Sequence, residues 1–155
     1  MGKIFYIMGK SASGKDTIYK ELIEKMPKFH SIVPYTTRPM REGEKDGVEY
    51  FFVDQERFDE MMDEEKIIEF RSYNTKCGIW TYFTADDGQV DLENADYLGI
   101  GTLESYVKMR EYYGKENVCP VYIEVEDGER LARALKRERS QEIPRYEEMC
   151  RRFLA

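Results

Sequence analysis

The first 26 positions of the chain change from a continuous apolar run to a helical spacing of apolar residues. The run KIFYIM, at positions 3–8, is short and largely apolar and is followed by a glycine, which is typical of a buried strand. In the next segment Ile18, Leu22, Ile23 and Met26 recur at helical spacing, which predicts one apolar face of a helix. A glycine-rich stretch separates the two, so the pattern predicts a strand, a loop and a helix in that order.

The same alternation of strand and helix returns in the last third of the chain. ADYLGIG and VCPVYIEV are predicted strands, and DGERLARALKRE is a predicted helix. TLESYVKMREYYG is a further predicted helix, which Thr102 caps at its start and Gly114 ends. Strands that alternate with helices form parallel sheets through right-handed crossovers, so we expect an α/β fold with a parallel sheet.

The middle third of the chain has a different pattern. Residues 31–86 contain four β-rich runs, SIVPYTT, VEYFFV, KIIEF and WTYFT, around one helical segment that Asp54 begins. We expect a small mixed insertion of mostly antiparallel strands, placed between the first helix and the second strand of the core. The prediction is a single domain, 1–155, with its core at 1–30 and 87–136.

Composition excludes several classes of protein. The net charge is −7, from 24 basic and 31 acidic residues, whereas a nonspecific nucleic-acid-binding protein usually has a basic surplus. The sequence has no apolar stretch of about 18 residues and no secretory signal, so we expect a cytoplasmic protein without a membrane partner. The three cysteines are far apart and His30 is the only histidine, which predicts no disulfide framework and no zinc or His-rich metal site.

The glycine-rich stretch GKSASGKDT has the pattern G-x-x-x-x-G-K between its predicted strand and helix. Such glycines allow backbone N–H groups to point inward at phosphates, and the helix N-terminus adds partial positive charge. Lys15 supplies a full positive charge to β and γ phosphates. We predict a polyphosphate site formed by Gly9, Lys10, Ser11, Ala12, Ser13, Gly14, Lys15, Asp16 and Thr17.

Asp16 departs from the usual form of this motif, in which a Ser or Thr follows the lysine and binds magnesium. The added carboxylate must either be neutralised by Mg²⁺ or turn away from the nucleotide. Thr17, the next residue, is predicted either to bind the metal in place of the missing hydroxyl or to contact the α phosphate.

Two further stretches carry candidate chemistry. In YTTRPMREGEKDGVEYFFV, the stiff Pro39 holds Arg38 and Arg41 so that two guanidinium forks can point at one phosphate, but a turn-rich, exposed hairpin fits the same letters. Residues 129–152 contain eight Lys or Arg against five Glu, a local balance of +3. This segment fits either a phosphate-binding helix or a solvated charged one.

Taken in order, the loop GKSASGKDT and the segment TTRPMREGEKDGVEYFFV resemble the two signatures of guanylate kinases, and the likeness covers nearly the whole chain. The resemblance implies a P-loop NTPase core with a parallel sheet and helices on both faces. To this core it adds an inserted small mixed α/β GMP-binding subdomain at about 31–86 and a basic lid at about 137–150. The implied reaction is transfer of the ATP γ-phosphoryl group to GMP, with Mg²⁺ as cofactor.

The resemblance also assigns residues to the two substrates. Residues that match binders of GMP are Arg38, Arg41 and Tyr50 at its phosphate, Glu69 at the guanine edge, and Tyr82 and Thr84 in place of a Tyr-Gly-Ser pattern. About four extra residues separate Glu69 from Tyr82 in this chain. Residues that match catalytic groups of the family are Lys15, Arg38, Arg133, Arg137, and either Arg151 or Arg152 after the lid.

Three further positions depart from the family pattern. Pro34 stands in place of a serine that helps to read guanine, and Gly99 and Gly101 stand in place of aspartates. The missing aspartates favour a catalytically impaired, guanylate-kinase-like binding module, whereas the complete phosphate loop favours an enzyme. A P-loop kinase with another phosphorylated acceptor is a third hypothesis, against which the retention of Glu69 argues.

Overall fold

The structure is a computed structural model that describes residues 1–155. It contains eight strands and five helices. In chain order they are β1 (Ile4–Gly9), α1 (Lys15–Lys25), β2 (Phe29–Ser31), β3 (Tyr35–Thr36), β4 (Phe51–Phe52), α2 (Gln55–Asp63), β5 (Ile67–Thr75), β6 (Gly78–Ala85), β7 (Asp96–Ile100), α3 (Leu103–Tyr113), β8 (Val118–Ile123), α4 (Asp127–Arg139) and α5 (Tyr146–Leu154).

A four-stranded parallel sheet in the order β2-β7-β1-β8 forms the core. Ile4, Tyr6 and Met8 are buried, and they belong to the same apolar cluster as Met109 of α3. On the opposite face, the Tyr19 hydroxyl of α1 donates to the Leu98 carbonyl of β7. The predicted α/β core with helices on both faces is therefore confirmed, and burial of these apolar side chains is its main source of stability.

A second sheet, in the order β4-β3-β6-β5, lies in the middle third of the chain. Its β3–β6 and β5–β6 pairs are antiparallel, and its β3–β4 pair is parallel. Helix α2 buries Phe58 and Met61 in one cluster with Phe83 of this sheet. Asp54 caps α2 by accepting a hydrogen bond from the Arg57 N–H, as its position in the sequence predicts.

One predicted strand is wrong in its extent. The run SIVPYTT was expected to lie wholly in the insertion, but Ser31 belongs to β2 of the core sheet, and only Tyr35 and Thr36 belong to the second sheet. Pro34 separates the two strands, because proline has no N–H to donate to a ladder. The insertion therefore follows a core strand rather than the first helix.

The last third of the chain contains the predicted strands and helices, followed by the additional helix α5, which packs against α4. Thr102 and Ser105 form a capping box at the start of α3, and Gly114 ends that helix. Helices α4 and α5 pack together, with the Arg130 guanidinium 4.3 Å from the centre of the Phe153 ring. None of the five helices has the length and apolar character that crossing a bilayer requires.

Candidate active site

The phosphate loop has the backbone conformation of an anion-binding nest. Ala12 and Gly14 have φ angles of 62° and 86°, on either side of the buried Ser13. The N–H of Ser13 donates to the Lys10 carbonyl, whereas the N–H groups of residues 14–17 have no acceptor within the protein. No side chain caps α1, and the buried Ser13 hydroxyl also lacks a partner. These unpaired donors converge where an anion would satisfy them.

Lys15 lies at the start of α1 and forms no ion pair within the protein. Burial lowers the pKa of its ammonium group, while the Asp16 carboxylate acts in the opposite direction. A partly desolvated cation without a partner attracts an anion strongly. Asp16 and Thr17 are exposed at the first turn of the same helix, where they offer carboxylate and hydroxyl oxygens of the type that Mg²⁺ prefers.

Two arginines of α4 reach the phosphate loop. The Arg130 Nε donates to the Ser11 carbonyl at 3.0 Å, and the Arg133 Nη1 donates to the Ser13 carbonyl at 3.4 Å. Arg133 was predicted as a site residue, whereas Arg130 was missed. Its signal is its position one helical turn before Arg133, which places both side chains on the same side of α4.

The other predicted arginines of this region lie away from the loop. The Arg137 side chain is exposed and forms no hydrogen bond or ion pair, although the backbone carbonyl of Arg137 accepts from Ser140. Arg151 is exposed and lies 3.9 Å from Glu147, and Arg152 lies 3.5 Å from the buried Glu138. The structure thus brings one of the four predicted C-terminal arginines to the loop.

The second sheet holds a basic and aromatic pocket around Arg38. This side chain is only 4% exposed and lies 5.2 Å from the centre of the Tyr50 ring, which in turn packs against Tyr82. The two terminal nitrogens of Arg38 each donate to one oxygen of Glu44 at 2.7 Å. Arg41 is exposed, and its backbone N–H, not its guanidinium, binds Glu44. The two predicted forks therefore do not converge in this structure, and Glu44 is a partner that the sequence reading missed.

Glu69 is buried on β5, at 4% exposed, and is held by two neighbours. One of its oxygens accepts a hydrogen bond from the Thr84 hydroxyl at 2.8 Å, and the other accepts from the Arg71 Nε at 3.1 Å. A register shift between Ile67 and Glu69 sets Glu69 opposite Thr84 across the β5–β6 ladder. This register explains the contact between the two predicted residues, Glu69 and Thr84. Arg71, the second partner of Glu69, was not predicted as a site residue.

The phosphate loop and the second sheet lie near enough for charges on one to act on groups of the other, and we call the space between them the cleft. Burial and the phenol of Tyr82 raise the pKa of Tyr50, and the charges of Arg38, Asp16 and Arg71 also act on it. Asp16 belongs to the phosphate loop, and its negative charge is one of the smaller influences that raise the pKa of Tyr50. A recess of 420 Å³ opens beside the loop, lined by Lys10, residues 122–127 and Arg130.

Tyr6 fills the space in which the absent aspartates would lie. Its hydroxyl is hydrogen-bonded to Ser105 at 2.8 Å, and burial raises the pKa of this phenol well above its ordinary value. A Cβ atom at Gly101 would lie 2.1 Å from the Tyr6 oxygen and 2.4 Å from the Ser105 oxygen. A Cβ atom at Gly99 would lie 2.8 Å from the Tyr6 ring. Positions 99 and 101 therefore need glycine, because any side chain there would overlap Tyr6.

Replacing Gly101 with alanine is expected to lower the free energy of unfolding by about 2–3 kcal/mol, because the added methyl group overlaps Tyr6 and Ser105. Urea unfolding of the parent and the variant measures this loss. Tyr6→Phe removes the nearest atom, so the double variant should be more stable than the sum of the two single losses predicts. Strictly additive losses would contradict the packing explanation.

The pairing of Glu44 with Arg38 predicts a pH-dependent stability. Hydrogen bonds from Arg38 lower the pKa of Glu44 from an ordinary 4.5 to about 2. A lowered pKa stabilises the fold above pH 4.5, and this contribution is lost as the pH falls from 4.5 towards 2. Urea unfolding of Glu44→Gln should therefore show a smaller decline over this interval than the parent. Glu42→Gln, at an exposed neighbour without such bonds, is the control, and an equal decline in parent and Glu44→Gln would refute the prediction.

A phosphate loop between a parallel strand and a helix, with a second sheet inserted after β2, is the arrangement of the P-loop NTPase fold. A family model described as guanylate kinase matches residues 1–79, which is about half of the chain. The chain belongs to the guanylate kinase family.

Similar proteins agree with this family. The chain is 44% identical over 68 residues to the guanylate kinase of Legionella pneumophila (strain Lens), a match that covers 44% of this chain and 32% of the relative. It is 51% identical over 57 residues to the guanylate kinase of Helicobacter hepaticus, which covers 37% and 28% of the two chains. The crystal structure of guanylate kinase from Anaplasma phagocytophilum matches with a TM-score of 0.68 and 27% identity, over 87% of this chain and 67% of that one. The alignments span about a third of the length of these curated relatives.

Proposed function

We propose that the protein transfers the γ-phosphoryl group of ATP to GMP, which gives ADP and GDP. One observation carries the proposal: the inserted second sheet holds the buried Glu69 carboxylate and the Arg38 pocket, while the core holds a phosphate loop whose N–H groups have no acceptor. A triphosphate needs the loop, and a purine monophosphate needs both an anion pocket and a polar group for its base. The cleft offers all three.

We assign the donor nucleotide to the phosphate loop. The free N–H groups of residues 14–17 and the ammonium group of Lys15 would bind the phosphates of ATP. Arg133, which already contacts the loop, would compensate the charge that develops on the transferred group. Arg137, Arg151 and Arg152 would approach only if the segment at about 137–150 moves as a lid, so their roles remain predictions.

We assign the acceptor nucleotide to the second sheet. Arg38, Tyr50 and Tyr82 would bind the phosphate of GMP, with Arg41 turning inward from its exposed position. Glu44 accepts a hydrogen bond from each terminal nitrogen of Arg38. A bound phosphate would therefore either displace the Glu44 carboxylate from Arg38 or share the guanidinium group with it.

In the proposed reaction no side chain forms a covalent bond to the transferred phosphoryl group. A phosphate monoester is an anionic nucleophile at neutral pH, so the acceptor needs no general base. The protein has to align the two phosphates and neutralise charge between them. Thr17, with Asp16 beside it, would hold Mg²⁺, which supplies charge neutralisation to the phosphates of ATP when it is bound. The donor oxygens at this turn fit that ion.

We further propose that residues about 31–86 act as the GMP-binding unit and residues 1–30 with 87–136 as the ATP-binding core. The separate sheets support this division. Because the curated relatives that match include bacterial guanylate kinases, we place the reaction in the cytoplasm. The proposed substrates are the small molecules ATP and GMP, and no nucleic acid or membrane takes part.

An ADP-release assay over GMP, AMP, CMP and UMP, with Mg-ATP in excess, tests the proposal. We expect release of ADP with GMP and little with the other three nucleotides. Calorimetry with GMP alone distinguishes the alternatives. GMP binding without ADP release would indicate a binding module, which the absence of aspartates at Gly99 and Gly101 favours. ADP release that requires a different phosphorylated acceptor would indicate another kinase and refute the proposal.

A further inference from the structure

Arg71 lies beside Glu69 in the proposed base pocket, and neither the family signatures nor the proposed mechanism assigns it a role. The two residues are separated by one position on β5, so their side chains project from the same face of the sheet. Arg71 Nε lies 3.1 Å from one carboxylate oxygen of Glu69, and Arg71 Nη2 lies 3.5 Å from the other. The side chains of Arg71 and Glu69 are 18% and 2% exposed. The pair therefore forms a charged, largely buried unit.

Most of the Arg71 guanidinium remains free to donate. A guanidinium group has five N–H donors, and the contacts with Glu69 use one on Nε and one on Nη2. Arg71 contacts no other carboxylate in the structure. The three remaining donors lie on the end of the side chain, next to the carboxylate that is proposed to hold the base.

Guanine presents one acceptor and two donors along its edge: the keto oxygen on C6, the N1–H and the 2-amino group. A carboxylate pairs with the two donors only, so the keto oxygen needs an N–H or O–H from another side chain. Two polar groups nearby are already engaged, since Thr84 donates to Glu69 and the Tyr6 hydroxyl is paired with Ser105. The phenol of Tyr82, across the ladder from Arg71, is assigned to the phosphate of GMP. Pro34 has no polar side chain. Arg71 touches Glu69 directly and has three donors to spare.

The position of Arg71 within the cleft agrees with a role in substrate binding. After burial and the Asp16 carboxylate, the positive charge of Arg71 is the next influence on the pKa of Lys15, and it lowers that pKa. Arg71 is therefore near enough to the phosphate loop for its charge to act on Lys15, although its contacts are with Glu69 on its own sheet. Its positive charge also offsets the cost of burying the Glu69 carboxylate.

We propose that Arg71 is a specificity-determining residue that donates a hydrogen bond to the C6 keto oxygen of the bound purine, while Glu69 accepts from N1–H and the 2-amino group. The inference rests on the proposed function and deepens it, because it names the group that reads the third position of the guanine edge. In this chain, Arg71 supplies a base contact that Pro34 does not.

Calorimetric titration at pH 7 with three nucleotides tests the inference. The probes are GMP, 6-thioguanosine 5′-monophosphate, whose sulfur is a weak acceptor, and IMP, which lacks the 2-amino group. We expect the parent to prefer GMP over the thio analogue by about 10-fold or more, as for a hydrogen bond to a charged donor. In Arg71→Met, GMP affinity should fall by about 10- to 100-fold and the preference over the thio analogue should disappear. The preference for GMP over IMP should remain, because Glu69 sets it.

Two further variants secure the test. Arg71→Lys keeps the charge beside Glu69 and should retain part of the preference for GMP over the thio analogue, so the prediction can be checked even if Arg71→Met does not fold. Arg57→Met removes an exposed arginine of α2 and should change none of the affinities.

Three results would overturn the inference. An unchanged preference for GMP over the thio analogue in Arg71→Met, or in Arg71→Lys if that is the variant that folds, would show that Arg71 does not read the keto oxygen. An equal loss of affinity for all three nucleotides would show that Arg71 only positions Glu69. If the parent binds no GMP, the proposed function fails and this inference fails with it. GMP binding without ADP release would refute transfer alone and leave the base-reading test intact.

Discussion

Replacing Lys15 with alanine is expected to slow phosphoryl transfer by about 10²- to 10⁴-fold, a loss of about 3–5 kcal/mol of transition-state stabilisation. The size of the effect follows from its surroundings. Lys15 forms no ion pair and lies among N–H groups that have no acceptor in the protein. Its charge is therefore available to the phosphates. ADP release at varied Mg-ATP measures the change in kcat and KM.

Lys20→Ala is the matched control for this experiment, because Lys20 is exposed on the same helix and away from the loop. It should leave both kinetic parameters unchanged. The affinity for GMP should also survive in Lys15→Ala, since the acceptor pocket lies on the second sheet. Unchanged ATP affinity and turnover in Lys15→Ala would show that the loop does not bind the donor.

Replacing Glu69 with glutamine is expected to cost about 2–3 kcal/mol in transfer to GMP. The substitution keeps the shape of the side chain but removes its charge and one acceptor, and it leaves the Arg71 cation without its partner. The parent should prefer GMP to AMP by about 10³-fold, because the N1 of adenine would face the carboxylate with a lone pair. Rates with GMP and AMP in parent and variant measure both effects.

Glu24→Gln, at an exposed carboxylate of α1, controls for the loss of a negative charge and should change neither rate. Equal rates on GMP and AMP in the parent would refute the guanine assignment. So would a Glu69→Gln variant that keeps the full preference for GMP.

Local chemistry explains why much of the fold was predictable. The strand, loop and helix at residues 4–25 each have a local signal in apolar spacing or glycine content, and Thr102, Gly114 and Asp54 mark helix ends by their own hydrogen bonding or backbone freedom. The division of SIVPYTT between two sheets was not predictable in the same way. Apolar periodicity predicts a strand but does not identify the strand with which it pairs.

The candidate site shows the same division between local and long-range information. The loop and the identity of Glu69 and Thr84 came from motifs, but their contact depends on the β5–β6 register with its irregularity near Ile67. The partners that were missed, Glu44 and Arg71, are ordinary charged residues in sequence. Only their burial and pairing in the folded chain distinguish them.

The packing of Tyr6 against two glycines also constrains how this site can evolve. An aspartate at position 101 would have to enter a space that the Tyr6 hydroxyl already occupies, so that single substitution destabilises the fold before it can add a carboxylate. A smaller residue at position 6 would first leave a cavity in the core. Each of the two substitutions therefore lowers stability when it is made alone, so an acidic residue at position 101 requires a second change at position 6.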